Sequence, residues 1–211
     1  MPEMTESEIF DQFAPIVARS LRIDVSQVIP EVHLSDIGAE SLDLIEISME
    51  TESQFHIFLP DKSILDTAME VFGPDVLEKD GYVTEEGKRL LLQRMPDADA
   101  QAFEGAVAVK DLYRYFLKVN VWVRMIQGLV RYTPAECAAC GGPMTASMGF
   151  RMKCARCGAE VTLRSGEELN REWVREYYEQ EYCPRAGVLV SVNAGKQGGH
   201  AILSAAPASD R

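Results

Sequence analysis

Apolar residues first recur at helical spacing at Ile9, Phe13, Ile16, Val17 and Leu21. Thr5 and Glu8 bracket the start of this run as a capping box, so a helix is predicted from about residue 5 to Arg22. The period then lapses. Ile23 to Ser35 reads as a long loop containing Pro30, pinned to the core by Val28, Ile29 and Leu34. A second helix is predicted to begin at or just before Ser41. Leu42, Ile45, Met49 and Phe55 lie near one face, the acidic Asp43, Glu46, Glu50 and Glu52 lie on the exposed side, and Pro60 stops it.

Between Ser63 and Leu77 the apolar positions suit helix, interrupted at Gly73-Pro74. Gly81-Tyr82-Val83 reads as a turn, Thr84 as the cap of a helix carrying Leu90, Leu91, Leu92 and Met95, and 97–105 as a short helical turn. One helix is predicted from about Val109 to Val130, with Asp111 near its positive end. Tyr132-Thr133-Pro134 marks a boundary. Beyond it, 161–164 reads as a last ribbon strand and 167–182 as a helix with Leu169, Trp173, Tyr177 and Tyr178 along one side. Residues 188–192 read as a strand that pairs with 200–204 in a hairpin.

Charge divides the chain. Its 211 residues carry a formal net charge of -12. Residues 1–60 hold twelve acidic residues against two arginines, whereas 131–165 hold five basic against two acidic. The acidic balance argues against nucleic acid and anionic membrane surfaces as partners, and favours proteins with basic docking patches. The first residues, Met1 to Glu6, lack the basic and apolar regions of a signal peptide, and no apolar run approaches the ~20 residues of a membrane span. A cytoplasmic location is expected.

Four of the five cysteines form two Cys-x-x-Cys pairs, Cys137 with Cys140 and Cys154 with Cys157, with thirteen residues between the inner two. Each pair can grip a metal at a tight turn, and a glycine follows the second cysteine of each. Four thiolates give Zn²⁺ a closed tetrahedral shell, which is a structural and not a catalytic arrangement. A redox dithiol is the rival reading, but it requires a thioredoxin-like unit that the pattern lacks. Cys183 has no partner at metal spacing and reads as a buried or incidental thiol. The Gly195-Lys196 step lacks the upstream glycine and following Ser or Thr of a phosphate loop. His33, His56 and His200 are too scattered to form a ligand or catalytic set.

Ser41 on its own reads as a helix N-cap, since serine satisfies a free N–H there. Its context adds more. Residues from about Thr5 to Pro60, with the motif Asp36-Ile37-Gly38-Ala39-Glu40-Ser41-Leu42-Asp43, resemble the acyl carrier proteins of fatty-acid and polyketide synthesis. Phe58-Leu59-Pro60-Asp61 is similar to the segment after the family's second helix, and 107–112 to the start of its last. Where the family usually has Asp before the serine, this chain has Glu40, which keeps the charge on a longer arm.

The resemblance implies a mainly α fold: an acyl-carrier-like helical bundle over 1–130 with a helical insertion at 62–106. The residue pattern adds a small zinc ribbon at 131–165 and a helix plus β-hairpin tail at 166–211. The resemblance also implies 4′-phosphopantetheine on Ser41, attached by a phosphopantetheinyl transferase, and acyl groups held as thioesters. Glu40, Asp43, Glu46 and Glu50 would meet basic patches on acyl-transferring or condensing enzymes. Zn²⁺ would sit on Cys137, Cys140, Cys154 and Cys157. The chain is thus read as a carrier and not an enzyme. The alternative is a non-carrying interaction scaffold whose ribbon binds protein or nucleic acid.

Overall fold

A computed structural model describes residues 4–188 except 74, 97, 99, 148 and 149. Helix α1 spans Glu6–Leu21 and starts in the expected box: the Thr5 N–H donates to the Glu8 carboxylate at 2.8 Å, and the Glu8 N–H to the Thr5 hydroxyl at 3.2 Å. The loop after it contains two 3₁₀ turns, Val25–Gln27 and Leu34–Ile37. Helix α2 spans Ser41–Phe55 and α3 spans Ile64–Phe72, the latter capped by Ser63 and ended at Gly73. The expected turn at 81–83 is part of a tiny hairpin of β1 (Glu78–Lys79) and β2 (Tyr82–Val83). Its two linking residues, Asp80 and Gly81, both have positive φ, as a tight two-residue hairpin requires. Thr84 then caps α4, Glu85–Arg94, and a 3₁₀ turn follows at Ala100–Phe103.

The single helix expected from Val109 is two, α5 (Val109–Phe116) and α6 (Val119–Val130). No proline or glycine makes the break; backbone pairing with a distant loop does. Leu34 N–H donates to the Leu117 carbonyl at 2.9 Å, and the Val119 and Asn120 N–H groups donate to the Val32 and Pro30 carbonyls at 3.0 and 2.9 Å. Lys118 is held extended by these bonds, so the helix must restart after it.

Two apolar cores result. The first is built by α1, α2 and α6 together with Val28, Leu34, Ile57 and Leu59, and Phe13 stacks on Trp122 with ring centroids 5.6 Å apart. The helix that closes it is α6, not the 107–112 segment, whose Leu112 packs in the second core with α3 and α4. Strands β3 (Met144–Ser147), β4 (Arg151–Cys154) and β5 (Glu160–Thr162) form an antiparallel ribbon. Helix α7, Gly166–Tyr177, passes through a π turn at Tyr178–Tyr182 into the short α8, Cys183–Ala186. Its Leu169 joins the first core, and its Val174 and Tyr177 join the second. The hairpin expected from residue 188 onward lies outside the described residues, apart from Val188 itself.

The phase of α2 corrects the expectation. Leu42, Ile45 and Met49 are 79, 56 and 65% exposed, and the buried stripe is Ile47, Thr51 and Phe55. Of the apolar stripe expected on one face, Leu42, Ile45 and Met49 run along the solvent side and Phe55 is buried.

Candidate functional site

The loop before α2 is a compact device. After the turn at Leu34–Ile37, Gly38 takes φ +97°, a left-handed conformation that favours glycine, and the Ala39 N–H folds back to the Leu34 carbonyl at 3.0 Å. Glu40, and not Ser41, is the N-cap of α2. Its N–H donates to the Asp43 carboxylate at 2.8 Å, and its carbonyl accepts the first helical bond, from Leu44. Ser41 is therefore released from capping. It is the first helical residue, it is exposed, and among the described residues nothing hydrogen-bonds its hydroxyl. A phosphate ester there would lie at the positive end of a fifteen-residue helix, where anions are favoured.

The acidic residues divide by role. Glu40 and Glu46 are exposed, whereas Asp43 is half-buried in the cap. Glu50 pairs with Arg19 of α1, so its charge is partly used within the chain. Glu52 accepts the Leu59 N–H at 2.9 Å, and burial raises its pKa despite that bond.

Sequence reasoning missed Arg114. Its guanidinium reaches both carboxylate oxygens of Asp36, at 2.8 and 2.9 Å, and ties α5 to the motif loop. Its carbonyl also meets His33 Nδ1 at 2.8 Å. An Asp in a known motif and an Arg 78 positions later give no local signal of pairing.

The cysteines come together as expected. All four sulfurs lie within 4.8 Å of one another, with Cys137–Cys157 at 3.7 Å and Cys140–Cys154 at 3.5 Å. Four sulfurs around a zinc ion at ~2.3 Å stand about 3.8 Å apart, so the set matches that ion. Both pairs turn through a bonded loop, with the Gly141 N–H on the Cys137 carbonyl at 2.8 Å and the Gly158 N–H on the Cys154 carbonyl at 3.0 Å. A Cβ on Gly142 would stand 3.1 and 3.2 Å from the Cys154 and Cys140 sulfurs, so the turn is shaped around them. The Cys157 and Arg156 N–H groups, each 3.4 Å from the Cys154 sulfur, hold that thiol down to about 6. A Gly142 N–H draws Cys140 down, but the crowding Cys157, Cys154 and Cys137 sulfurs push it up to about 12. These are donors suited to Zn²⁺, with no side chain from outside the four needed to complete the shell. Cys183 stays apart from them, buried as the first residue of α8, and its pKa is raised by that burial.

The helical unit presents an unbonded serine at a helix start, on an acidic and apolar outer face. Comparison with known proteins gives the class to which such a unit belongs. A family model described as a phosphopantetheine attachment site matches residues 11–68. The acyl carrier protein of Chlorobium phaeovibrioides is 40% identical over 60 residues, 28% of this chain and 77% of that protein. Those of Guillardia theta and Helicobacter pylori strain J99 are 41 and 38% identical over 59 and 55 residues, covering 28 and 26% of this chain and 73 and 70% of theirs. No solved structure matches. The chain belongs to the acyl carrier protein family, with a phosphopantetheine-binding domain in its first part. Among the described residues no helix is long and apolar enough to cross a membrane.

Proposed function

We propose that the chain carries carboxylic-acid intermediates as thioesters on 4′-phosphopantetheine joined to Ser41, for fatty-acid-like or polyketide-like synthesis, and that it catalyses no step itself. The observation that carries this reading is the Ser41 hydroxyl, exposed and free because Glu40 and Asp43 do the capping. Glu40, Asp43, Glu46 and Glu50 would steer a phosphopantetheinyl transferase and acyl-transferring or condensing enzymes onto α2 through basic patches, aided by the apolar Leu42, Ile45 and Met49 between them. Residues 1–130 form the carrier unit, with an inserted helical unit running from about 62 through α5, since Leu112 packs in the second core. The ribbon of 131–165 holds a structural Zn²⁺, and 166–211 follow it as a tail. Where these enzymes work, the cytoplasm, is where the chain would act.

The test is intact mass after co-expression with a broad-specificity transferase. One phosphopantetheine should be added to the wild-type chain and none to Ser41→Ala. Absence of the adduct, or its persistence in Ser41→Ala, would return the chain to the scaffold reading.

A further inference from the structure

Between His33, the 3₁₀ turn at Ala100–Phe103 and α5 lies a cleft of about 210 Å³. Its floor is apolar and buried, made by Phe103, Val107 and Leu112. Its rim is basic, with His33, Arg114 and Lys118. The Arg114 guanidinium is spent on Asp36. Lys118 is not spent. It is half-buried, its ammonium lies 5.1 Å from the centre of the Tyr115 ring, and among the described residues it has no carboxylate partner. Asp111 also lines the cleft but makes no ion pair with Lys118. A cation partly withdrawn from water and, among the described residues, without an ion-pair partner favours an anion arriving from outside.

The cleft is also within reach of Ser41. Asp36 is bonded to Arg114 on the rim, and Ser41 is the fifth residue after Asp36 in sequence. Fully extended, five residues span about 17 Å, and the fold-back of Ala39 onto Leu34 shortens the real path. A phosphopantetheine arm has roughly fourteen chain atoms from phosphorus to sulfur, the length of between four and five residues, or about 16 Å. The thioester end can therefore reach the rim.

We infer that this cleft receives the acyl end of the arm on Ser41, and that it selects short acyl groups ending in a carboxylate, which Lys118 pairs. The inference rests on the carrier reading above. A pocket this small, below the few hundred Å³ of ordinary ligand sites, suits a short chain and excludes a long one.

The experiment loads the full-length protein enzymatically with a succinyl-pantetheine or a butyryl-pantetheine arm, and checks loading by intact mass. Two quantities are then read: amide chemical shifts of Ala102, Val107, Leu112 and Lys118, and the half-life of the thioester. The succinyl arm should move the cleft amides. Its half-life should fall about threefold in Lys118→Gln, the scale of one partly exposed ion pair, and recover in Lys118→Arg. The butyryl half-life should ignore both changes. Shifts confined to Ile47, Phe55 and their neighbours, or a succinyl half-life indifferent to Lys118→Gln, overturn the cleft while leaving the carrier reading intact. A mass showing no arm at all overturns both.

Discussion

The phase of α2 decides whether Ser41 faces solvent, and two substitutions two residues apart test it. Ile47 is fully buried in the first core, whereas Ile45 is 56% exposed. They stand about 200° apart around the helix, and Ser41, four residues before Ile45, lies about 40° from it. Ile47→Ala removes packed atoms and leaves a cavity, at a cost of about 3 kcal/mol. Ile45→Ala removes surface that water already covers and should stay within about 0.5 kcal/mol. For a chain of this size each kcal/mol is worth about 2–4 °C, so Ile47→Ala should melt about 6–12 °C lower and Ile45→Ala within about 2 °C of wild type. Trp122 is the reporter, because it stacks on Phe13 in the same core as Ile47. Urea unfolding followed by its emission, in a Trp173→Phe background, isolates that core from the other tryptophan. If Ile45→Ala costs as much as Ile47→Ala, α2 is turned the other way. Ser41 would then face the core, and attachment there would be refuted together with the phase.

Purified protein should contain about one zinc per chain; Cys154→Ser should release it and expose the 137–162 amides to rapid exchange, because structural zinc supplies folding energy, and full metal retention in that variant would contradict the four-cysteine site. Gly166→Ala would place a Cβ 2.7 Å from Pro60 Cδ and 2.9 Å from the Phe58 carbonyl oxygen, so it should destabilise by about 1–3 kcal/mol in thermal melts; a gain in stability, usual for Gly→Ala where space allows, would mean that this packing does not exist. Burial, and then the Glu86 carboxylate, push the Tyr177 hydroxyl up to about 12, and burial with Asp66 does the same to Tyr113. A raised folded pKa stabilises fully below the ordinary value of 10 and loses that contribution as pH rises toward 12. An absorbance titration should therefore show at least two of the seven tyrosines ionising late, near 12, with Tyr178 also above the ordinary value because of burial, and early ionisation of all seven would argue against these contacts.

What could be read from the sequence was local. Thr5 and Glu8 are three residues apart and bond each other, and the cysteine pairs fix their own turns, so spacing alone located both. The motif around Ser41 was legible only through its resemblance to acyl carrier proteins, since the serine alone reads as an N-cap. The errors arose where distant segments decide. Leu42, Ile45 and Met49 share a helical face, but periodicity cannot say which of two apolar stripes meets the core. Ile47 and Phe55 won because α1 and α6 close over them. The break at Leu117-Lys118 has no composition signal at all, since the carbonyls of Pro30 and Val32 create it from across the fold. The Asp36–Arg114 pair is hidden in the same way.

Those distant contacts share a logic. At one end of α2, Arg114 of α5 grips the loop that aims Ser41. At the other end, the Gly166 N–H donates to the Phe58 carbonyl at 2.8 Å, and the Thr133 hydroxyl donates to the His56 carbonyl at 3.2 Å. Helix α5 and the segments flanking the ribbon thus hold the first core from its two ends. Between them the outward stripe of Ser41, Leu42, Ile45, Glu46 and Met49 stays exposed. An addition that capped this stripe would block any enzyme that must reach Ser41. Contacts at the ends of α2 leave that approach open. Helix α5 also lines the Lys118 cleft, where an acyl group would meet features that the first core alone does not supply.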